Sequence, residues 1–321
     1  MQHILAVTVP FFALVLCGWL AARQHVLPQA AIPGLNSFVL YFALPCMLFR
    51  FGTSTPVLQL LNPTVLTLYL ACALVIVFGT VAATKATVGL KDAAFGALVA
   101  AFPNSGFMGV PLLVTLLGNE AAGPMICTLL ADLAVTSSLC VALAQAHDPG
   151  AGEHGARRAL ARALRGVASN PLPWAIALGA VAGILGLELP GPLDSVVRML
   201  GDAATPVALF TIGAVLWRAG QHAHTRTPPS RYLPIALVKL LLHPALVWLL
   251  GVAMQRAGAP LSDFQLVVLT LAAALPSASN VSLLAERFGA DNGRIARIIM
   301  SSTVLAFVSF SALAWWMGVG R

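Results

Sequence analysis

The chain has 321 residues, 59% of them hydrophobic and only 9% charged, with a mean hydropathy of +0.89. A soluble domain carries about 25% charged residues, and 18 Lys and Arg with 11 Asp and Glu are too few to cover a water-soluble fold of this size. This excludes a soluble enzyme, a secreted disulfide scaffold and a disordered chain, and since the basic residues lie between apolar runs, the net charge of +7 reads as membrane topology and not as a nucleic-acid surface.

A helix crosses a bilayer with about 20 mostly apolar residues. Ten stretches meet this requirement, at 4–22, 33–51, 64–84, 93–117, 122–145, 171–187, 195–217, 232–255, 264–285 and 295–318. The first has no Lys or Arg ahead of it and no small-residue cleavage site after it, so it reads as a span and not as a cleaved signal. Cys17, Cys46, Cys72, Cys127 and Cys140 are scattered through these stretches without a C-x-x-C pair, as buried apolar residues would be, and no metal site is expected.

The connections after odd-numbered spans hold Arg23, Lys85, Lys91, Arg157, Arg158, Arg162, Arg165, Arg218, Arg226, Arg231, Arg287, Arg294 and Arg297, whereas the opposite side holds Arg50, Arg256 and Arg321. The positive-inside rule then places both termini outside and the central connection in the cytoplasm. That connection, 146–170, reads as a solvated linker or as a short surface helix with its arginines at lipid headgroups. His222 and His224 read as solvated.

The two halves share their punctuation. Pro10, Pro45 and Pro103 in spans 1, 2 and 4 are answered by Pro173, Pro206 and Pro276 in spans 6, 7 and 9, and LPCMLF at 44–49 is answered by TPVALF at 205–210. Five spans per half is an odd number, so the second copy enters the membrane inverted, which is an architecture of secondary transporters. The expected fold is all-α, with repeats at 1–145 and 171–321 joined by the linker.

Span 4 contains Pro103-Asn104-Ser105-Gly106-Phe107-Met108-Gly109-Val110-Pro111 at its midpoint, and span 9 contains Pro276-Ser277-Ala278-Ser279-Asn280. Proline and glycine unwind these segments. Unwound backbone cannot face lipid, so both must be buried in protein or line a cavity. The repeat brings the two breaks together. The candidate substrate site is therefore Asn104, Ser105, Gly106, Ser277, Ser279 and Asn280, with Pro103, Gly109, Pro111 and Pro276 making the breaks. Half-helix amides there favour an anion and half-helix carbonyls a cation. Helix capping without ligand contact is the competing reading for each polar residue.

LPCMLFRF, FPNSGFMGVPLL, TPVALFTIGAVL and LPSASNVSLLAERFGAD, distributed over the whole chain, resemble the auxin efflux carrier family. The resemblance implies a scaffold of spans 1, 2, 6 and 7 and a mobile transport domain of spans 3–5 and 8–10 with crossing helices 4 and 9. The wider fold is shared with bile acid:sodium symporters and sodium–proton antiporters. The span 4 asparagine of that family is Asn104 here. The short central connection is similar to bacterial-type members, associated with malonate and malate, and both it and the sequence PSASN depart from the plant auxin carriers.

Charges within spans mark function by default. Asp132, in the span after the first break, reads as a proton or cation carrier or as a structural partner of Lys239. Lys239 and His243 share a helical face and read as an anion attractant, a partner for Asp132, or, for Lys239, a side chain snorkelling to the surface. Arg198 and Asp202, four apart, read as a local ion pair. No P-loop, H-E-x-x-H or G-x-S-x-G appears, so neither a nucleotide-driven pump nor an enzyme is expected. The expected function is secondary transport of a small organic anion, a mono- or dicarboxylate, in the inner (plasma) membrane, with no cofactor beyond a coupling H+ or Na+ and with a homodimer through the scaffold. A cation–proton antiporter and a non-transporting membrane receptor are the alternatives.

Overall fold

The computed structural model describes residues 1–146, 165, 166, 168–221 and 227–320. Arg157, Arg158, Arg162, His222, His224, Arg226 and most of the expected central linker lie outside the described residues. Among those described, the chain is all-helical, and a single residue pair, Pro103 with Ser277, makes a β-bridge. The helices are α1 Gln2–Arg23, α2 Gln29–Ser54, α3 Pro63–Ala101, α4 Ser105–Leu117, α5 Asn119–Gln145, α6 Pro171–Ile184, α7 Gly191–Gln221, α8 Leu233–Arg256, α9 Asp263–Ala273, α10 Val281–Arg287 and α11 Asn292–Trp316. Among the described residues, seven helices are long and apolar enough to cross a membrane, and α4, α6 and α9 are shorter apolar helices.

The differences from the ten expected stretches have local causes. Spans 3 and 4 share α3 because the chain turns at Gly89 alone, whose φ of 81° and ψ of 163° lie outside helical values. That φ is in the left-handed half of the map, where glycine pays no Cβ penalty. Span 4 is completed by α4 after a gap at 102–104, and span 9 is divided into α9 and α10 by a gap at 274–280.

Four helices widen into a π-turn: Val39–Ala43, Ser105–Gly109, Asp132–Thr136 and Val238–Leu242. Three of these are followed within two residues by a proline, Pro45, Pro111 and Pro244. A proline ring clashes with the carbonyl four residues earlier, and a wider turn moves that carbonyl aside. The turn at Asp132 has no such proline. Single π-turns are frequent at functional sites, and this one holds the carboxylate.

Two crossings are made by glycine. A Cβ on Gly213 of α7 would stand 1.9 Å from the Val15 carbonyl oxygen of α1, and one on Gly18 would stand 1.9 Å from that of Phe210. Where α2 meets α6, a Cβ on Gly179 would lie 2.2 Å from the Phe49 carbonyl oxygen and one on Gly183 2.6 Å from that of Thr53. Bare glycine faces let backbones approach this closely in membranes, where packing rather than water expulsion drives association. The cysteines are all free. Cys72, Cys127 and Cys140 are buried as expected, but Cys17 is exposed.

One end of the bundle is tied by a buried guanidinium. Arg294 donates from Nε to the Arg231 carbonyl at 3.0 Å and from Nη1 to the Asp92 carbonyl at 3.0 Å, and Asp92 Oδ1 accepts from the Asp291 amide at 2.8 Å. A Cβ on Gly96 would sit 3.1 Å from Nη1, so the glycine leaves room for this side chain. Charge-assisted bonds at buried sites are worth about 1.5–3 kcal/mol each. Arg294→Met should therefore cost roughly 3–5 kcal/mol and give a clearly lower melting midpoint in detergent, whereas Arg287→Met on the less buried rim should leave it almost unchanged.

Candidate functional site

The two breaks meet. The Asn104 amide donates to the Pro276 carbonyl at 2.8 Å, and the Ala278 amide donates to the Phe102 carbonyl at 3.0 Å, pairing the unwound segments antiparallel. In such a pair the residues between the two bonds, Pro103 and Ser277, point their amide positions away from each other. Proline therefore fits at 103, where no donor is needed. The Ser277 amide is instead bound by Ser302 Oγ of α11 at 3.1 Å, and Ser277 Oγ donates to the Val99 carbonyl at 2.6 Å. Asn104, Ser105, Ser277 and Ser279 are buried. Gly106 and Gly109 lie in the same first turn of α4, where a Cβ on Gly109 would meet the ends of Leu275 and Met125.

The polar side chains at the breaks do little capping. Asn104 and Asn280 make no side-chain cap, and at the start of α10 Ser282 Oγ donates to the Ser279 carbonyl at 2.9 Å. Ser105 Oγ is buried without a partner. A buried polar atom in that state calls for an explanation, and a bound ligand supplies one. Pro111 follows directly on the π-turn of α4, whose wider backbone accommodates its ring.

Beside the breaks lies a buried polar cluster. Tyr69 Oη of α3 donates to Asp132 Oδ2 at 2.7 Å, while Asp132 Oδ1 has no partner. The Tyr69 ring lies 5.9 Å from the His243 ring, centroid to centroid. Lys239 Nζ stands 3.3 Å from His243 Nδ1 and donates to the Ala273 carbonyl at 2.6 Å. Ala273 is the last residue of α9. In a continuous helix its carbonyl would bind the amide of residue 277, which is instead held by Ser302. Lys239 thus satisfies a carbonyl orphaned by the break.

These contacts correct two sequence readings. Lys239 is fully buried and does not snorkel, and it closes no ion pair with Asp132 among the described residues. Arg198 pairs with Asp194 at 2.6 Å and not with Asp202, which is held by Arg50 across the bundle at 2.7 Å. Four apart in the N-terminal direction serves Arg198 as well as four apart in the other, so spacing alone did not choose. Sequence reasoning missed Tyr69 and Ser302. Tyr69 is one of three tyrosines in the chain, and a phenol inside an apolar span was a usable signal. Ser302 carried none.

Cavities flank the breaks. One of about 240 Å³, reached by Asn36, Ser282, Glu286 and Asn292, lies toward the Arg294 end, and one of about 550 Å³, reached by Arg50, Pro111, Thr115 and Asp202, lies toward the other. No cluster of three metal-ligating side chains occurs among the described residues.

The sequence pattern of a family described as membrane transport protein matches residues 3–314. The chain is 30% identical to a protein named "Putative malonate transporter" from Rhizobium meliloti (strain 1021), over 100% of this chain and 98% of that protein. It is 26% identical to "Uncharacterized transporter YfdV" of Escherichia coli (strain K12), covering 97% and 96% of the two chains. An uncharacterized transporter of Methanothermobacter thermautotrophicus is 25% identical, covering 92% of each.

Proposed function

The chain belongs to the membrane transport protein family, the auxin efflux carrier family that its motifs resemble, and from that premise we propose that it is a secondary transporter moving a small mono- or dicarboxylate by alternating access. The observation that carries this reading is the buried pairing of two broken helices at Pro103 and Ser277. Substrate would be held there by Asn104, Ser105, Gly106, Ser277, Ser279 and Asn280, with the first amides of α4 facing its charge. The name of the Rhizobium meliloti relative supports malonate as the first substrate to try.

Ten membrane segments in two inverted repeats make the site on this reading. Its support lies in the glycine crossings. α1 packs on α7 and α6 packs on α2, so the first segment of each half meets the second segment of the other. Segments 1, 2, 6 and 7 would form the scaffold, and its outer face a homodimer contact. Segments 3–5 and 8–10 would form the moving part. The basic end, where Asp92, Arg231 and Arg294 meet, would face the cytoplasm, with both termini outside an inner (plasma) membrane. Asp132, Lys239 and His243 would couple transport to H+ or Na+. That cluster also favours the second reading, a cation–proton antiporter without an organic substrate.

Uptake of labelled mono- and dicarboxylates into proteoliposomes tests the proposal. The purified chain should accumulate malonate or a related acid, and Asn104→Ala should reduce the rate at least tenfold, on the scale of a lost ligand hydrogen bond to a charge (about 1.5–3 kcal/mol). Sodium movement with every carboxylate inert would transfer the assignment to the antiporter, and binding without movement would transfer it to a receptor. Asp132→Asn should flatten the pH or ion dependence, and an unaltered dependence would remove Asp132 from coupling.

A further inference from the structure

The lining of the 550 Å³ cavity includes none of the residues paired at the breaks, which are buried. Its walls come from the end of α2, the end of α4 and the start of α7. Its size lies in the range of small-ligand sites, about 300–1,000 Å³. Pro111 and Thr115 make one wall, so it adjoins the half-helix that starts at the break.

Three of the lining hydroxyls are already used, and Thr205 and Asn119 add only neutral groups. Thr53 Oγ1 and Ser54 Oγ donate to the Arg50 carbonyl, and Thr115 Oγ1 donates to that of Pro111. The principal donor left is the Arg50 guanidinium, of which Nη1 alone is bonded among the described residues, to Asp202 Oδ1 at 2.7 Å. That bond spans 152 positions of sequence. The neighbouring Gly201 lets α7 come close to α2 at this point, since a Cβ there would lie 3.3 Å from the Met47 amide nitrogen.

The pair is poorly sheltered. The Arg50 side chain is 39% exposed and that of Asp202 73%. Exposed ion pairs contribute about 0–1 kcal/mol, so little holds Asp202 in place. A soluble carboxylate offers the same chemistry and can engage the guanidinium with two parallel bonds, where Asp202 engages one nitrogen. Arg198, the other arginine of the cavity, is bound to Asp194 by Nε and is 62% exposed.

We propose that the Arg50–Asp202 pair is an exchangeable anion site, in which an arriving carboxylate displaces Asp202 from Arg50 before it moves to the helix breaks. This rests on the carboxylate reading above. Asp202 then acts as an internal competitor that keeps the arginine closed to weaker anions such as chloride. On the orientation given above, the site serves substrate arriving from outside.

The test uses the full-length chain in oriented proteoliposomes, with malonate as probe presented to one face at a time. Arg50→Gln should raise the apparent KM about tenfold for malonate offered at the Arg50 face, with kcat and the opposite face little altered. Asp202→Asn should change KM in the opposite direction, lowering it a few-fold, and should let chloride inhibit. Equal impairment by both substitutions, on both faces, would make the pair a structural tie and overturn the proposal, as would an unchanged KM in Arg50→Gln. Melting curves of each variant separate misfolding from site loss, and Arg50→Lys, which keeps the charge but not the fork, should fall between. A wild-type chain that moves other carboxylates while none of them shows a changed KM in Arg50→Gln would overturn this inference and leave the proposed function standing. One that neither moves nor binds any carboxylate overturns both this inference and the proposed function.

Discussion

Gly213→Ala should abolish the native packing of α1 on α7. The added Cβ would lie 1.9 Å from the Val15 carbonyl oxygen and 2.6 Å from the Trp19 amide nitrogen. Both obstacles are backbone, so no rotamer change relieves them, and the helices must separate along their length. Overpacking typically costs about 1–3 kcal/mol, occasionally more, and a clash with two main-chain atoms belongs at the upper end. Gly179→Ala, 2.2 Å from the Phe49 carbonyl oxygen, should act similarly where α6 meets α2. The control is Gly79→Ala in α3, where nothing lies within 4 Å of the new methyl group. There, alanine's better helix propensity should stabilise by about 0.5–1 kcal/mol. Monodisperse yield and thermal melting in detergent read all three. Equal melting midpoints would mean that the glycine contacts do not hold the crossings.

Lys239→Met should have a comparable effect on stability and a larger one on transport. The substitution keeps the volume but removes the donor to Ala273 O and the positive charge next to His243. An orphaned buried carbonyl costs about 1–3 kcal/mol, and a buried carboxylate left without a nearby cation adds to that. Asp132 is the carboxylate of the same buried cluster, although it forms no direct ion pair with Lys239 among the described residues. The double variant Asp132→Asn with Lys239→Met should thus regain part of the stability lost in Lys239→Met alone, while transport stays at least about a hundredfold below the parent. A double variant whose loss equals the sum of the two singles would show Asp132 and Lys239 to be energetically independent.

How far these features could be read from sequence depends on whether their cause is local. The apolar runs, the breaks at Pro103 and Pro276 and the buried Asp132 follow from residue chemistry within a short window. The meeting of Asn104 with Pro276 was reachable by a longer argument, from repeat and inversion. The one-residue turn at Gly89 was less visible, because a glycine between Val88 and Leu90 looks like any helix glycine until φ is known. Partner choice was least legible. Asp202 has an arginine four residues away in its own helix, yet it pairs with Arg50, because helix approach, and not spacing, sets which guanidinium is within reach. Likewise nothing around Ser302 distinguishes it from Ser301, although only one of them binds the Ser277 amide.

The pairing of the two breaks has a consequence for how the protein is made. Ser277 binds the Val99 carbonyl from 178 positions further along the chain, and the Asn104 amide waits for Pro276. At about 5–20 residues per second, a ribosome needs roughly 10–35 s to synthesise that interval. Throughout it the first half lacks the partners that satisfy its broken helix, and each unpaired backbone group costs several kcal/mol in hydrocarbon. The nascent N-terminal half therefore has to remain in a wet or chaperoned setting, at the translocon or beside an insertase, until its second half arrives. A chain cut after the first repeat would leave that debt standing and become a substrate for membrane quality-control proteases.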